Sequence, residues 1–414
     1  MTRQIEIMAP AGSPASLTAA LDAGANSVYF GVDRLNMRSQ GATNFPIEEL
    51  PDLAKRCSEK KVKTYLTLNV VLYDNDLDEM KVICDAAKDA GVSAVIAADI
   101  AAIQYASSIG LEVHISTQAN VSNIEAVRFY AKFADVVVLA RELTIDQIQD
   151  ICDTIKNEKI TGPSGELLRI ELFVHGALCV SISGKCYMSL ARYNCSANRG
   201  KCLQVCRRAY RVIDEETGDE LVVDNKFIMS PKDLCCVKFL DKILDTGVSV
   251  LKLEGRGRSA DYVHTVTRVY REAADACLAD DFSEEKAEGW VKELESVFNR
   301  GFWHGGYYLG KKLGEWAGEY GSQATIKKEM IGRFQKYFAK VKIGEFKIET
   351  GELKLGDEIA VIGPTTGYIK KKVETMRVED KEVESAVKGD IVTIPFEVRV
   401  RKSDKIFVLR EAKN

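Results

Sequence analysis

The sequence predicts an α/β protein: a (β/α)8 barrel of the TIM type with a cysteine-rich insertion after strand 7, followed by a small C-terminal β-barrel. Three observations lead to this fold class. Eight short apolar runs alternate with segments of helical period over the first part of the chain. A long, cysteine-rich segment follows the seventh run, and beyond residue 330 the apolar spacing changes to every second residue.

The eight runs are rich in Val, Ile and aromatic residues, as expected for parallel strands that are buried on both faces. They lie at residues 5–8, 27–30, 63–68, 94–97, 113–116, 136–139, 170–174 and 249–253. Helix ends are recognisable between them: Ser13 can cap a helix that begins at Pro14 and ends at Gly24, and Gly91 ends a later one. An open doubly wound sheet is the alternative, but residues 10–13 stand where that fold carries a G-x-G-x-x-G turn.

Polar residues follow several of the predicted strands. In barrel enzymes the active site lies at the C-terminal ends of the strands. The residues in that position here are Asn69, Asp99, Gln118, Asn120, Arg141, Glu142, His175, Glu254 and Arg256. We take Glu254, Arg256, His175, Asn69 and Gln118 as candidate catalytic residues, although each could also simply satisfy the backbone of a loop.

Composition narrows the functional classes. The 414-residue chain has 57 basic and 61 acidic residues and a net charge of −4, so no global basic excess indicates a nucleic-acid partner. No apolar run approaches the roughly 18 residues of a membrane span, and the N-terminus lacks the apolar stretch of a signal peptide. We therefore expect a cytoplasmic protein without a membrane partner, in which clustered cysteines bind a metal or catalyse rather than form disulfides.

Seven of the 11 cysteines fall into one short stretch of the chain. They are Cys179, Cys186, Cys195, Cys202, Cys206, Cys235 and Cys236. Four thiolates suit zinc or an iron–sulfur cluster. Because the paired C-x2-C knuckles of zinc ribbons are absent from this spacing, an irregular loop around an iron–sulfur cluster is the favoured hypothesis. A set of unrelated reduced thiols is the alternative.

The stretch from residue 171 to 189 resembles the signature of the U32 peptidase family, whose members are often described as collagenase-like proteases. The matching positions are Glu171, Phe173, Gly176, Ala177, Leu178, Cys179, Gly184, Cys186, Met188 and Ser189. Residues 233–235, 252–256, 299–302 and 306–310 also resemble the family. The resemblance covers essentially the whole chain. It implies a barrel that, in better understood members, holds a 4Fe-4S cluster on four cysteines.

Those members modify RNA bases or hydroxylate quinone precursors without molecular oxygen. The layout is most similar to the prephenate-dependent tRNA uridine hydroxylases, which implies synthesis of 5-hydroxyuridine at the wobble position, with tRNA as partner and prephenate as co-substrate. The implied cluster ligands are Cys179, Cys186, Cys202 and Cys235. Cys206 could take the third place and Cys236 the fourth. Arg256 or Arg141 could bind a carboxylate of the co-substrate; whether the cluster binds substrate or transfers electrons stays open.

Beyond residue 330, glycine-marked turns separate strands of period two, which predicts a small β-barrel. Residues 355–358 and 388–390 resemble the second domain of translational GTPases, which touches tRNA. This region is basic and the preceding one acidic, and the lysine run 370–372 is either a phosphate contact or a solvated strand edge. We therefore divide the chain into a barrel (1–330) with an iron–sulfur loop (176–236) and a C-terminal β-barrel (331–414).

Two other functions compete with tRNA hydroxylation. The first is a U32-type peptidase, with Cys179 and His175 as a conceivable nucleophile and base. The chain has four histidines, but neither an H-E-x-x-H nor a G-x-S-x-G motif. The second is a non-catalytic tRNA-binding module with a structural cluster. The oligomeric state and the need for a partner protein stay open.

Overall fold

The computed structural model describes residues 4–221, 227–310 and 315–412. The strands of its first part are β1 (Glu6–Pro10), β2 (Ser27–Phe30), β3 (Lys63–Leu68), β4 (Ala94–Ala97), β5 (Glu112–Ile115), β6 (Val136–Val138), β7 (Arg169–Gly176), β8 (Val212–Ile213), β9 (Glu220–Leu221), β10 (Asp233–Cys235), β11 (Val250–Leu253) and β12 (Phe302–His304). Strands β1 to β7 pair in parallel in chain order, and β11 pairs in parallel with both β7 and β1. This closes an eight-stranded barrel. All eight strands expected from the apolar runs are present, so the predicted fold class is confirmed.

The helices are α1 (Pro14–Asp22), α2 (Leu50–Glu59), α3 (Leu77–Asp89), α4 (Ile100–Ser108), α5 (Ile124–Tyr130), α6 (Ile145–Glu158), α7 (Met188–Tyr193), α8 (Leu240–Asp245), α9 (Ala260–Leu278) and α10 (Glu284–Glu295). Ser13 caps α1 as expected, because its Oγ accepts a hydrogen bond from the Ser16 N–H at 3.2 Å. Gly24 follows α1 at a φ of +84°, a conformation that strains any other residue. In the part of the chain that is described, every helix is too short or too polar to cross a membrane.

Side chains fill the interior of the barrel. One buried layer consists of Met8, Tyr29, Tyr65, Ala94, Ile96, Val136 and Val250. At the N-terminal end of the barrel, Glu6 accepts hydrogen bonds from Tyr65 Oη at 2.6 Å and from Arg169 Nη1 at 2.7 Å. The barrel is therefore a packed core, and its C-terminal end is the face available for a ligand.

The segment between β7 and β11 is the cysteine-rich insertion. In it, β10 pairs antiparallel with β7 and parallel with β12, so a short extension of the sheet branches from the barrel at β7. The insertion also contains a hairpin, formed by the antiparallel pair β8 and β9, and residues 222–226 after it lie outside the described residues. Trp303 and Tyr308 are buried, so the aromatic segment at 302–308 covers the barrel.

The C-terminal region is all-β, as the period-two pattern predicts. Its strands are β13 (Ile326–Phe338), β14 (Ile343–Ile348), β15 (Glu352–Lys354), β16 (Glu358–Gly363), β17 (Gly367–Lys372), β18 (Arg377–Val378), β19 (Lys381–Glu382), β20 (Ser385–Val387), β21 (Ile391–Pro395) and β22 (Lys405–Glu411). They form an antiparallel sheet of order β17-β16-β22-β13-β14-β21-β18-β19 and a second antiparallel pair, β15 with β20. Leu353 and Ala386 of the pair share one apolar core with Phe334 and Phe346 of the larger sheet.

This region packs against α1 and α9 of the barrel. Thr18 Oγ1 in α1 donates a hydrogen bond to Pro364 O at 2.7 Å. Lys328 in β13 forms an ion pair with Asp261 in α9. The two cores are thus joined by polar contacts between a barrel helix layer and the first C-terminal sheet.

The lysine run at the end of β17 has local partners. Lys370 forms an ion pair with Glu358 at 2.9 Å, and Lys371 Nζ donates to Pro395 O at 2.7 Å. Two of its three lysines therefore interact within the sheet, which favours the solvated strand edge over a dedicated phosphate contact.

Candidate functional site

The C-terminal ends of the barrel strands border a cavity of about 260 Å³. Strand ends form one part of its wall, and residues 177–207 of the insertion form the opposite part. The predicted residues in the wall are Asn69, Gln118, Arg141, Glu254, Arg256, Cys179, Cys186 and Cys202. The cavity therefore lies where the fold leads us to expect an active site.

Four cysteines of the insertion line this cavity: Cys179, Cys186, Cys202 and Cys206, which we call the cavity cysteines. Burial raises the pKa of Cys206, and the neighbouring Cys179, Cys202 and Cys186 raise it further. Burial also raises the pKa of Cys186, with added contributions from Cys179 and Cys202. The four thiols thus lie within electrostatic range of one another.

Two other predicted site residues, Cys235 and His175, lie behind the cavity wall. Cys235 in β10 is fully buried, and burial raises the pKa of its thiol to about 12. His175 in β7 faces Cys235 across the ladder and is 2% exposed. Burial lowers the pKa of His175 to about 3, and its Nδ1 lies 3.4 Å from Tyr270 Oη. Both side chains are therefore neutral at pH 7.

Contacts with the loop after β3 hold the cysteine loop in place. Arg199 donates hydrogen bonds to both carboxylate oxygens of Asp76, at 2.6 and 3.2 Å. The Asn198 carbonyl accepts from the Val71 N–H at 3.0 Å, and Asn198 Oδ1 accepts from the Cys186 N–H at 3.3 Å. These contacts, which are far apart in sequence, fix the position of Cys186 over the barrel.

Seven basic side chains of described residues line the rest of the wall. They are Arg38, Arg141, Arg207, Lys252, Arg256, Arg258 and Arg300. Glu254 is the one carboxylate among the described residues that line the cavity. Glu254 pairs with Arg38, while Glu171 and Asp233 pair with Lys252 and Arg300 from outside the wall. The remaining arginines make no ion pair with a described residue, so the cavity favours an anionic ligand.

Arg256 is the most informative of these cations. It is 5% exposed, and its Nη1 donates to Asn36 Oδ1 at 3.1 Å and to Thr67 Oγ1 at 2.7 Å. Burial lowers its pKa to about 10, so the guanidinium is still charged at neutral pH. A buried cation held by neutral groups retains attraction for a negatively charged group in the cavity.

Glu254, directly after β11, is held as a carboxylate. Arg38 Nη2 donates to its Oε1 at 2.9 Å. Burial raises the pKa of Glu254, but the charges of Arg38 and Arg258 and a hydrogen bond from the Ala177 N–H outweigh it and lower the pKa to about 2. At neutral pH this side chain therefore accepts hydrogen bonds and has no proton to donate.

The two amide candidates are in direct contact. Asn69 Oδ1 accepts a hydrogen bond from the Met37 N–H at 3.2 Å, and Asn69 Nδ2 donates to Gln118 Oε1 at 3.1 Å. The Ser116 hydroxyl also donates to Gln118 Oε1. Side chains that follow β3 and β5 thus meet at the rim of the cavity.

Sequence reasoning missed several residues of the wall. Lys252, Arg258 and Arg300 lie in or beside the stretches at 252–256 and 299–302 that resemble the family, so the sequence does carry a signal for these three residues. Arg38 follows β2 in a loop without a recognisable pattern, and only the folded chain shows its contact with Glu254. Asp99, a strand-end candidate, caps α4 by accepting from the Ala101 N–H at 3.0 Å.

The chemistry of the donors fits an iron–sulfur cluster. Four soft thiols share one cavity with cations that would balance the negative charge of a thiolate-bound cluster. Arg207, adjacent to Cys206, is 9% exposed and fixed by hydrogen bonds to Leu178 O at 2.5 Å and Pro231 O at 2.6 Å. Among the described residues, no three His, Cys, Asp or Glu side chains converge on a single metal ion. The fit rests on the kind and number of donors.

Comparison with known proteins places the chain in a family. The family model described as peptidase family U32 matches residues 12–318, which is more than half of the chain. The chain belongs to peptidase family U32. Over 402 residues this U32 protein is 54% identical to a protein named collagenase from Porphyromonas gingivalis, with 97% of each chain covered.

Other relatives carry different names. This U32 protein is 31% identical over 409 residues to tRNA hydroxylation protein P1 of Bacillus subtilis, with 96% of this chain and 93% of the relative covered. It is also 31% identical over 307 residues to the 23S rRNA 5-hydroxycytidine C2501 synthase of Escherichia coli, covering 72% of this chain and 45% of the relative. The solved structure of the U32 peptidase Mk0906 aligns with 62% of this chain and 94% of its own, at 13% identity and a TM-score of 0.36.

Proposed function

We propose that this protein is an iron–sulfur-dependent tRNA modification enzyme that hydroxylates the wobble uridine to 5-hydroxyuridine, with prephenate as co-substrate and without molecular oxygen. The observation that carries the proposal is the combination, in one cavity, of four thiols, an amide pair and arginines that form no ion pair with a described residue. The relative named tRNA hydroxylation protein P1 supports hydroxylation of tRNA, and the relative named 23S rRNA 5-hydroxycytidine C2501 synthase supports hydroxylation of a pyrimidine.

The cysteines would hold the cluster. Three residues belong both to the cavity cysteines and to the ligands that the resemblance implies: Cys179, Cys186 and Cys202. The fourth ligand would be either Cys206 in the cavity or Cys235 behind it. When bound, the cluster supplies a redox-active, Lewis-acidic iron at the substrate. Arg207 donates to backbone carbonyls beside the thiols and adds a positive charge that stabilises their ionised form.

The basic wall would bind the co-substrate. Prephenate carries two carboxylates, and Arg256, Arg258 and Arg141 are cations of the cavity without a carboxylate partner among the described residues. Arg258 is stacked on Phe298, with its guanidinium carbon 3.5 Å from the ring centroid, which fixes its direction. Guanidinium groups bind carboxylates in a bidentate manner, so these residues would orient the co-substrate as well as attract it.

The reaction replaces C5–H of the base with C5–OH, which is a two-electron oxidation. Because molecular oxygen takes no part, the co-substrate must accept the two electrons and supply the hydroxyl group, while the C5 proton leaves the base. Glu254 is ionised and paired with Arg38, so its part is to accept hydrogen bonds and to hold Arg38 rather than to act as a general acid. A base bound in the cavity would lie between the packed barrel interior and the cysteine loop, which would limit the access of bulk water to the reacting carbon.

Analysis of tRNA nucleosides tests this function. In a strain that lacks the gene, mass spectrometry of tRNA should show loss of 5-hydroxyuridine, which the gene on a plasmid restores. The anaerobically purified protein should be brown and carry about four iron atoms and four sulfides per chain. Colourless protein after anaerobic reconstitution, or unchanged 5-hydroxyuridine in the deletion strain, would contradict the proposal. Tight tRNA binding without a modification defect would instead favour the non-catalytic module.

A peptidase is the second candidate, favoured by the name collagenase of the Porphyromonas relative. Its chemistry would need a base beside a nucleophile. His175, the nearest histidine to Cys179 in sequence, lies behind the cavity wall, and its pKa of about 3 makes it a poor base at neutral pH. Hydrolysis of collagen peptides by metal-free protein, abolished by Cys179→Ala, would support the peptidase.

A further inference from the structure

We propose that Gln118 selects uracil over cytosine by donating hydrogen bonds from its Nε2 to O4 of the base. This inference rests on the proposed function and deepens it, because it assigns the choice of base to one side chain. The two bases differ at position 4: uracil presents a carbonyl acceptor, and cytosine presents an amino donor. C5 is bonded to C4, so a group that holds O4 also positions the carbon to be hydroxylated.

A chain of hydrogen bonds fixes the orientation of the Gln118 amide. The Met37 backbone N–H is a donor only, so the Asn69 atom that it contacts at 3.2 Å must be the carbonyl oxygen. The other Asn69 atom is then the NH2 group, which lies 3.1 Å from Gln118 and must meet an acceptor there. Gln118 Oε1 therefore faces Asn69, and its NH2 group is directed elsewhere.

The two N–H groups of Gln118 Nε2 are available to donate hydrogen bonds to a ligand. Oε1 already accepts from Asn69 and from the Ser116 hydroxyl, whereas Nε2 makes no hydrogen bond to any described residue. Thr117 Oγ1, in the same wall, has no partner among the described residues although Thr117 is only 6% exposed. A buried polar group without a partner is costly, so this rim is built to meet polar atoms of a bound molecule.

The insertion holds Gln118 in this orientation. A Cβ added at Gly184 would lie 3.1 Å from Gln118 Cγ, so the cysteine loop packs directly on this side chain. Asn120 Nδ2 donates to Ser183 O at 2.9 Å and ties the loop to the same turn. Rotation of the amide would break the contacts with Asn69 and Ser116. A fixed donor discriminates between an acceptor and a donor, whereas a freely rotating amide accommodates both.

The test compares two anticodon stem-loops that differ only in uridine or cytidine at the wobble position. Equilibrium binding of each is measured with the full-length, iron-loaded protein, and the 5-hydroxypyrimidine formed is measured after prephenate is added. The wild type should bind the uridine RNA roughly tenfold more tightly. Gln118→Glu, which replaces the donors with an acceptor, should reverse that preference while iron content is retained. Gln104→Glu, the same change on the exposed face of α4, is the matched control and should change nothing.

The outcomes separate this inference from the proposed function. Equal binding of both RNAs by the wild type, an unchanged preference in Gln118→Glu, or no binding of either RNA overturns the role of Gln118. A uridine preference that Gln118→Glu reverses, without any hydroxylated product from the wild type, supports the role of Gln118 and overturns the proposed hydroxylation. If the wild type hydroxylates uridine and the base preference of Gln118→Glu is unchanged, the proposed hydroxylation is supported and the role of Gln118 is overturned.

Discussion

Arg207 and Arg256 are buried cations, 9% and 5% exposed, respectively. Neither forms an ion pair with a carboxylate of the described residues. Burial of a cation without a counter-charge costs several kcal/mol. Carbonyl and hydroxyl oxygens offset part of this cost for both arginines. A negatively charged cluster or substrate would offset the rest, which explains why such residues line a site.

The thiols give the first prediction at this scale. Cys206→Ser should remove most of the iron, because Cys206 shares the cavity with the other three thiols, whereas Cys235→Ser should retain it, because Cys235 is fully buried behind the wall. Iron and sulfide per chain after anaerobic reconstitution are the measurements. Oxygen in place of sulfur weakens ligation of iron with little change in side-chain size.

Cys195→Ser is the matched control, since Cys195 lies in the same loop and does not line the cavity. It should keep full iron content. The opposite pattern, with iron lost in Cys235→Ser and kept in Cys206→Ser, would show that β10 rearranges to bring Cys235 to the cluster.

The cysteine loop is the element on which the site depends, and Arg199 makes several of the contacts that hold it in place. Arg199 forms an ion pair with Asp76, which is 3% exposed. The guanidinium carbon of Arg199 also lies 3.9 Å from the centroid of the Tyr73 ring. A planar guanidinium makes the bidentate and stacked contacts together, and an ammonium group cannot. Order in the loop therefore depends on Arg199 as well as on the cysteines.

We predict that Arg199→Lys loosens this loop without unfolding the barrel. Amide hydrogen exchange across residues 184–206 should become several-fold faster, because loss of the guanidinium group leaves the loop attached by fewer hydrogen bonds. Exchange in the barrel strands should be unchanged. Arg211→Lys is the matched control: Arg211 also pairs with a carboxylate, that of Glu220, but its side chain is 71% exposed, and exposed pairs contribute little. Equal exchange in the loop of the wild type and Arg199→Lys would contradict the prediction.

At the scale of the whole molecule, two apolar cores are joined by polar contacts. The first core takes its residues from Ile5 to Tyr308, and the second takes its residues from Ile331 to Val408. Lys328 links them, since its Nζ contacts both Asp261 and Ser259 at the start of α9. Cores of this kind unfold together only while the contacts between them hold.

Lys328→Glu should uncouple the two cores. The new carboxylate would face Asp261, which is 6% exposed, and two like charges at a partly buried contact repel. We expect calorimetry to show two separate unfolding transitions where the wild type shows one. Lys327→Glu, on the neighbouring position of β13 with 69% side-chain exposure, should keep a single transition. A single transition in Lys328→Glu would show that other contacts dominate the interface.

The sequence by itself determined the architecture. The eight strands were recognisable because a parallel barrel buries both faces of each strand, which leaves continuous runs of Val, Ile and aromatic residues. Ser13 at the start of α1 followed from local chemistry alone, because a cap satisfies backbone groups a few residues away. The C-terminal sheets followed from the alternation of a half-buried strand.

Only the tertiary structure decided how the site is assembled. It placed Arg38 against Glu254, and Asn69 against Gln118, over separations that no local pattern records. It also placed Cys206 in the cavity and Cys235 behind it, although their spacing in the sequence favours neither. The physical reason is that strand periodicity and helix caps are properties of neighbouring residues, whereas the contents of a cavity depend on where distant loops meet.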